Sequence, residues 1–346
     1  MLDLLNQVNL LMENPETNSP GHLKIATAGE ALIDLIGRAD GLFAPCLGGS
    51  VFNFTRAMAR QGVGTLYLNP LSSDRFGRRL AESLVQDGVV LARPDLVQLT
   101  TSLAVVGLTE SGHPDYAFYR QGVADRDVTA PGLNAATAAA TTLEMVCTGC
   151  LALSPDDADV YLPWLRASRL AGKTVVVDAN LRPSVMPDMA AYRANVLAAL
   201  QCADVIKASD EDLAYLAIPG ATPLDKARTL LASSSAILMA LTLGAEGAYL
   251  LTRSGEAWHI REAAPIAVVD TVGAGDCFLA GLVTALLTDA LAKGQALADV
   301  DAAAAQAVLS HALASASLCV MRQGCQPPTL DEVLARVQDF PGVFTV

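Results

Sequence analysis

Short apolar segments of strand length alternate with segments of helical periodicity along most of this chain, and this alternation limits the folds that it can adopt. The strand-like segments are 23–36, 65–71, 143–153, 174–179 and 204–209. Patterns of helical period occupy 51–60, 76–86 and 157–170. Continuously apolar strands are buried on both faces, and strands separated by helices pair in parallel. The sequence therefore predicts an α/β fold whose mostly parallel sheet is covered by helices on both faces.

Two segments depart from this alternation. Residues 101–128 have the alternating pattern of a hairpin that is too short to be a domain. Strands of this kind, projecting from an α/β body over a ligand crevice, would form a lid. Residues 1–22 are polar and rich in breakers, which predicts a leader that is either mobile or an added helix. We expect residues 23–346 to form a single domain, with lid strands from about 35–48 and 101–124.

The composition excludes several classes of function. Hydrophobic residues make up 52% and charged residues 17% of the chain, proportions that are typical of a folded globular protein. The net charge of −13 argues against broad binding to nucleic acids or to anionic membranes. The first residues lack the basic region and cleavage pattern of a secretory signal. These features predict a cytoplasmic protein.

The cysteines and one long apolar segment need separate interpretation. The seven cysteines lack the spacing of a disulfide framework, so we expect reduced thiols. Cys147 and Cys150 form a C-x-x-C pair without a second pair, and their apolar context predicts a buried strand and not a metal or redox site. Residues 302–321 carry no formal charge and are long enough to span a membrane. Their serine, glutamine and histidine side chains and their many alanines predict a buried core helix instead.

A glycine-rich turn leads into a long apolar helical pattern where the chain reads DTVGAGDCF, at residues 270–278. The first N–H groups of a helix point outward without intrahelical partners, so they attract anions such as phosphate. Glycines at this position let the anion approach the backbone closely. Asp276 would place a carboxylate beside that anion, where it can take a proton from a hydroxyl that attacks phosphorus. The alternative is that Asp276 only stabilises the helix dipole.

Polar residues at two other places suit a sugar. Gly48 and Gly49 precede a helical pattern in which Asn53 offers an amide that donates and accepts hydrogen bonds. Asp34 ends the first strand-like segment, and open α/β sheets bind ligands at strand ends. A carboxylate there suits two sugar hydroxyls, although a solvated strand-end aspartate is the alternative.

Three further segments follow strand patterns. Residues 207–212 contain an acidic cluster suited to hydrated Mg²⁺, although Ser209 and Asp212 also fit a helix capping box. The glycines of residues 242–247 serve either a turn between two strands or the phosphates of a nucleotide. Residues 178–183 offer an acid, an amide and a guanidinium. No G-x-G-x-x-G follows the first strand pattern, which disfavours a dehydrogenase.

Taken in this order, these motifs resemble those of the PfkB (ribokinase-like) family of carbohydrate kinases, from about Lys24 to near the C-terminus. The resemblance implies a three-layer α/β/α fold with a small β-stranded lid. It implies Asp276 as the catalytic base, with an anion hole formed by the amides of Gly273, Ala274 and Gly275. The positions that match sugar contacts are Asp34, Gly48, Gly49 and Asn53. The positions assigned to ATP are Thr242, Gly244, Gly247 and Lys207.

The resemblance also implies cations. Ser209 and Asp212 fall on the family's Asn-x-x-Glu motif, which organises Mg²⁺ through water, and both are substitutions in this chain. Asp270 falls where some members bind a monovalent cation, commonly K⁺. Lid strands in this family often pair between subunits, which implies a homodimer.

The function implied is ATP-dependent phosphorylation of a sugar hydroxyl. Residues 29–34 and 118–126 look most like the fructokinase branch. A 2-keto-3-deoxygluconate kinase is the alternative, in which Arg120 or Arg182 would bind the substrate carboxylate, and a ribokinase is another. A non-catalytic protein that binds sugar or nucleotide on the same scaffold is the alternative from a different class.

Overall fold

The computed structural model describes residues 23–38, 40–108, 114–290 and 296–346, so the predicted leader at 1–22 lies outside the described residues. The strands are β1 Ile25–Thr27, β2 Leu32–Gly37, β3 Phe43–Gly48, β4 Thr65–Tyr67, β5 Val90–Leu91, β6 Ser102–Leu108, β7 Pro114–Tyr119, β8 Met145–Gly149, β9 Thr174–Asp178, β10 Val205–Ser209, β11 Leu238–Thr242, β12 Ala248–Thr252, β13 Ala257–Arg261 and β14 Val343–Thr345. The α-helices are α1 Ser50–Arg60, α2 Arg75–Gln86, α3 Ala130–Ala139, α4 Ala158–Leu170, α5 Met189–Leu200, α6 Asp210–Tyr215, α7 Pro223–Ser233, α8 Ala274–Ala285, α9 Ala302–Val320 and α10 Leu330–Asp339.

Ten strands form the main sheet, in the order β14-β13-β12-β11-β10-β9-β8-β1-β4-β5. Seven neighbouring strands run parallel, namely β5, β4, β1, β8, β9, β10 and β11. The strands β12, β13 and β14 each pair antiparallel with the strand before them in the chain. The direction in which strands are added reverses between β1 and β8, because β1 pairs with both β4 and β8. Crevices that bind ligands form at such a reversal, at the carboxyl ends of the strands. The predicted α/β class is confirmed.

Alternation along the strands separates two of the hydrophobic cores, one on each face of the main sheet. Val175 and Val177 of β9 belong to the core that includes α4 and α5, whereas Val176 belongs to the core that includes α8 and α9. Neighbouring side chains of a strand point to opposite faces, and both faces are buried here. This burial on both faces explains why the strands appear as continuous apolar runs in the sequence.

A separate sheet has the strand order β3-β2-β6-β7, and we call these four strands the lid sheet. The strand-like segment predicted at 23–36 is therefore wrong as one strand, since β1 belongs to the main sheet and β2 to the lid sheet. Gly29 lies in the break, where an added Cβ would lie 2.4 Å from Val51 Cγ2. Asp34 consequently lies within a lid strand, opposite Cys46 and Ala104, and not at the end of a main-sheet strand. The proposed lid bounds of 35–48 and 101–124 stay a prediction.

The strand predicted at 143–153 is also shorter in the structure. β8 ends at Gly149, and Cys150–Leu153 forms a 3₁₀ turn in which Cys150 has a φ of 54°. Of the C-x-x-C pair, Cys147 therefore lies in a strand and Cys150 in a turn. Both cysteines are buried and free.

Among the described residues, Ala302–Val320 is the one helix that is long and apolar enough to cross a membrane, and half of its apolar window is buried inside the protein. This helix, α9, contributes Val308, Leu309 and Ala312 to the core beside α8. Gly281 of α8 lies so close that an added Cβ would be 2.9 Å from Ala312 Cα. The helix therefore packs as a core element of the fold.

Truncation of a side chain tests this role of α9. Leu309 is fully buried, so Leu309→Ala is expected to lower the free energy of unfolding by about 2–5 kcal/mol through lost burial and the cavity that remains. Leu334 of α10 is 51% exposed, and Leu334→Ala should change stability by less than about 0.5 kcal/mol. Urea unfolding monitored by circular dichroism measures both changes. Equal effects of the two substitutions would contradict the placement of α9 in the core.

Candidate active site

The helix α8 begins at the glycine-rich turn that the sequence singled out. Gly273 precedes the helix in a left-handed conformation with φ of 78°, and Ala274 is the first helical residue. The Ala274 amide donates to the Thr271 carbonyl at 3.2 Å. Within the described part of the chain, the amides of Gly273 and Gly275 have no such acceptor. Those two N–H groups therefore remain for an anion at the helix N-terminus, where the helix dipole favours it.

Asp276 lies in the first turn of α8, and its side chain is held by three residues from elsewhere in the chain. It is 6% exposed. The Ser50 hydroxyl donates to Oδ1 at 2.6 Å, and the Asn53 amide donates to Oδ2 at 2.9 Å. Asn180 Nδ2 donates to the Ser50 hydroxyl at 2.8 Å, so this hydroxyl accepts one hydrogen bond from Asn180 and donates another to Asp276. Each carboxylate oxygen thus has a fixed direction.

The pKa of Asp276 is raised above its ordinary value, because burial outweighs the hydrogen bonds from Ser50 and Asn53 and the charges of Lys207 and Arg182, which lower it. The donors therefore oppose the effect of desolvation and favour the ionised carboxylate. An ionised carboxylate with fixed orientation can accept a proton, which is what a general base requires.

The N-terminus of α1 supplies two of these donors because of the glycines that precede it. Gly49 has a φ of 104°, and an added Cβ would lie 2.7 Å from the Glu30 carbonyl oxygen. Ser50 and Asn53 are three residues apart on α1, so they share one face of the helix, and this face meets the start of α8. The paired glycines therefore place α1 against the main sheet so that both side chains reach Asp276.

A buried ion pair lies under the anion-binding turn. Lys207 of β10 and Asp178 of β9 are 3.0 Å apart, and both side chains are about 5% exposed or less. A Cβ on Gly275 would lie 3.1 Å from Lys207 Nζ. The ammonium of Lys207 thus lies beside the turn at 273–276, where it adds positive charge to the anion site, and not on the loop at 242–247.

Asp34 of the lid sheet lies close enough to Arg182 and Asp276 for both charges to act on it. Burial raises the pKa of Asp34 to about 6, while the charge of Arg182 lowers it and that of Asp276 raises it. An added Cβ on Gly48 would lie 2.0 Å from Asp34 Oδ2, so a larger residue there would displace the Asp34 carboxylate. Arg182 Nη1 donates to the carbonyl of Leu181 at 3.0 Å. The structure therefore brings Asp34, Gly48 and Arg182 toward the corner that holds Asp276.

Arg120 is placed differently from Arg182. Its guanidinium lies 3.7 Å from the Asp125 carboxylate and 3.3 Å from the Leu151 carbonyl, and its side chain is 12% exposed. This pairing joins the end of β7 to the body of the protein. The role in substrate binding that the sequence suggested for Arg120 stays a prediction, and its partner carboxylate opposes it.

The predicted nucleotide loop lies at the carboxyl ends of β10 and β11, where Thr242 pairs in register with Ser209. Gly244 has a φ of 56°, and an added Cβ would meet nothing within 4 Å. A Cβ on Gly247 would lie 2.0 Å from the Ile260 carbonyl oxygen, so this glycine is required for packing on β13. The loop is therefore accessible at Gly244, whereas Gly247 has a structural explanation.

The predicted metal residues have their oxygens partly occupied by backbone amides. Ser209 and Asp212 form a capping box at the start of α6, the alternative that the sequence left open. Asp212 Oδ1 also accepts from the Leu181 amide at 2.7 Å. Asp270 accepts from the amides of Val272 at 3.0 Å and Gly324 at 2.9 Å. A carboxylate has about four lone pairs, so Asp212 and Asp270 each retain capacity for a hydrated ion.

The sequence reasoning missed Ser50 and Asn180 as partners of Asp276, and it did not select Glu30. Ser50 had a detectable signal, because it follows two glycines and is three residues before Asn53. Asn180 has a φ of 35°, which its sequence does not reveal.

Glu30 is a buried carboxyl group at the junction of the two sheets. It is 1% exposed, and Oε1 accepts from the Ser50 amide at 2.9 Å. Burial raises the pKa of Glu30 to about 7, against the lowering effect of the Arg120 charge. The Glu30 carboxyl group therefore holds Ser50, the first residue of α1, in place.

Replacement of Glu30 tests this environment. Between pH 4.5 and about 7 the unfolded chain ionises at Glu30 while the folded chain keeps the proton, so stability falls as the pH rises. Glu30→Gln keeps the acceptor for Ser50 but cannot ionise. Its free energy of unfolding should therefore fall less across this window, by on the order of 2–3 kcal/mol. Urea unfolding at about pH 5 and about pH 8 measures the difference.

The matched control is Glu82→Gln, which removes an exposed carboxylate on α2. It should leave the pH dependence of unfolding as in the unchanged protein. If Glu30→Gln also leaves it unchanged, Glu30 does not have the raised pKa described.

The chain is similar in sequence and in fold to known proteins over most of its length. Residues 22–332 match the model of the pfkB family carbohydrate kinases. The chain is 31% identical over 281 residues to a fructokinase of Rhizobium leguminosarum bv. trifolii, covering 80% of this chain and 84% of that protein. It is 32% identical over 285 residues to a fructokinase of Klebsiella pneumoniae, covering 82% and 91%. A solved structure of fructokinase with bound ATP from Xylella fastidiosa superposes with a TM-score of 0.78 at 27% identity, covering 92% of this chain and 99% of that chain.

Proposed function

The chain belongs to the pfkB family of carbohydrate kinases, and we propose that it transfers the γ-phosphoryl group of ATP to a hydroxyl of fructose, giving fructose 6-phosphate. The observation that carries this proposal is the buried carboxylate of Asp276 at a helix N-terminus, oriented by Ser50 and Asn53 beside the Gly273 and Gly275 amides, which have no backbone acceptor among the described residues. Relatives that are named fructokinases support the substrate.

Asp276 acts as the general base in this proposal. The sugar oxygen forms a bond to the γ-phosphorus, the bond between that phosphorus and the bridging oxygen of ADP breaks, and the hydroxyl proton passes to Asp276. A loose transition state needs this proton removed only late, so a carboxylate is basic enough. The amides of Gly273 and Gly275, with Lys207 beside them, stabilise the charge on the transferred group.

The remaining predicted residues have supporting roles. Asp34, Gly48, Gly49 and Asn53 form the sugar side of the cleft, and the loop at Thr242, Gly244 and Gly247 forms the nucleotide side. Mg²⁺, held through water by Asp212 and Ser209, neutralises phosphate charge when it is bound. K⁺ near Asp270 would stabilise the turn that precedes α8. These assignments are part of the proposal.

We also propose a cytoplasmic homodimer. The edges of the lid sheet are β3 and β7. Large apolar side chains are exposed there, with Phe43 52% and Tyr119 61% accessible to solvent. Unpaired strand edges with exposed apolar residues favour pairing with a second subunit.

One observation favours a second candidate substrate. Among the described residues, no carboxylate lies within ion-pair distance of Arg182, whereas Arg120 is paired with Asp125. The guanidinium of Arg182, whose charge acts on Asp34, would suit the carboxylate of a sugar acid such as 2-keto-3-deoxygluconate. Ribose lacks this carboxylate, so Arg182 does not favour a ribokinase.

A substrate panel separates these candidates. The protein is assayed with ATP and Mg²⁺ for ADP formation on fructose, ribose and 2-keto-3-deoxygluconate, and fructose should give the highest kcat/KM. A higher value for the sugar acid, lost in Arg182→Gln, would support the second candidate. Sugar binding by calorimetry without ADP formation would indicate a non-catalytic protein.

Asp276→Asn tests the base. The amide preserves shape but cannot accept the proton, so kcat should fall on the order of a hundredfold or more, with ATP affinity retained. Steady-state assays and titration calorimetry measure the two quantities. The matched control is Asp301→Asn at the start of α9, where asparagine caps the helix equally well. Turnover of Asp276→Asn close to that of the control would refute the base assignment.

A further inference from the structure

Three cysteines meet directly behind the turn at 273–276, in a group that the proposed reaction does not use. Cys277 lies in the first turn of α8, Cys319 in the last turn of α9, and Cys325 in the loop before α10. Their sulfur atoms all lie within 4.8 Å of one another. Cys277 and Cys319 are buried, and Cys325 is partly exposed. We call these three residues the cysteine cluster.

The spacing of the sulfur atoms is close to that of a metal site. With zinc–sulfur bonds of about 2.3 Å, three sulfurs around one ion lie about 4 Å apart. The cluster therefore needs to contract by less than about 1 Å to surround an ion. Cys325 lies in an irregular loop and is partly exposed, so it provides both the entry path and the freedom to move.

The chemistry of the thiols also suits a cation. Thiols bind metals as thiolates, and each ligand loses its proton as the metal–sulfur bond forms. Among ligands, thiolates select soft or borderline cations such as Zn²⁺, Cd²⁺ and Cu⁺ over Mg²⁺. A disulfide would use two of these sulfurs and leave the third without a role.

The cluster contacts the active-site turn at three points. Cys277 directly follows Asp276 in the chain. A Cβ on Gly273 would lie 2.2 Å from Cys325 Sγ, so the sulfur packs against the Gly273 backbone. The Cys319 thiol donates to the Val272 carbonyl at 3.5 Å. A contraction of the cluster therefore pulls on the turn that carries the Gly273 amide and Asp276.

We propose that Cys277, Cys319 and Cys325 form a trithiolate site for a thiophilic divalent cation of the Zn²⁺ and Cd²⁺ class, and that its occupancy slows turnover by displacing the anion-binding turn. The thiols of Cys277, Cys319 and Cys325 each lose a proton to solvent as their metal–sulfur bonds form. Binding therefore releases about three protons per ion and strengthens as the pH rises. No electron transfer is involved.

Cadmium binding to the reduced full-length chain tests the site, and this test does not depend on the proposed function. One ion per chain should bind, with thiolate-to-cadmium charge-transfer absorption and release of about three protons. Cys325→Ala should weaken binding on the order of a hundredfold or more and remove the absorption. The matched control is Cys202→Ala, at the end of α5, which should bind as the unchanged protein does. Equal binding by both variants would overturn the proposal.

An activity measurement tests the consequence for turnover. Chain loaded with Zn²⁺ and assayed with excess Mg²⁺ and ATP should show kcat roughly tenfold lower than the metal-free chain. Cys325→Ala should keep its turnover when Zn²⁺ is added, and Cys202→Ala should be inhibited. Inhibition that persists in Cys325→Ala would place the Zn²⁺ effect at the nucleotide and would overturn the regulatory part. A count of two missing thiols in metal-free chain after aerobic storage would show a disulfide and overturn the metal site.

Discussion

The candidate active site depends on one contact between two helix N-termini, the pair of hydrogen bonds from Ser50 and Asn53 to Asp276. The first helix follows the lid sheet and the second follows the antiparallel strands near the C-terminus, so residues more than 220 positions apart share one buried carboxylate. A buried carboxylate is tolerated only where hydrogen-bond donors replace water. The donors therefore both permit the burial of Asp276 and fix its direction.

The convergence of these elements requires the absence of side chains at several positions. A Cβ at Gly48 would collide with Asp34, one at Gly49 with the Glu30 backbone, and one at Gly275 would crowd Lys207. Gly48 and Gly49 lie where β3 leads into α1, and Gly275 lies in the first turn of α8. Each allows a charged or polar group to approach the backbone closely. Gly273 likewise lets Cys325 of the cysteine cluster contact its backbone. A movement of these sulfur atoms would therefore displace the amides of the turn.

The start of α8 is locally positive, although the whole chain is negative. The net charge is −13, yet the turn at 273–276 combines the Gly273 and Gly275 amides, which lack a backbone acceptor among the described residues, with the buried ammonium of Lys207. Asp178 neutralises that ammonium at 3.0 Å and lets it remain buried. A local positive site of this kind can bind an anionic group without an exposed basic surface.

The sequence by itself determined the fold class and the principal motif. Periodicity reports burial, and continuous apolar strands such as β9 arise because both faces of the sheet are covered. The glycines and the acid at a helix start singled out Asp276, with stabilisation of the helix dipole as the alternative. Tertiary structure alone decided the partners. It moved Asp34 into the lid sheet, engaged Arg120 with Asp125, and brought Ser50 and Asn180 to Asp276. Local patterns record each residue's own helix or strand, but contacts between distant segments depend on how those elements pack together.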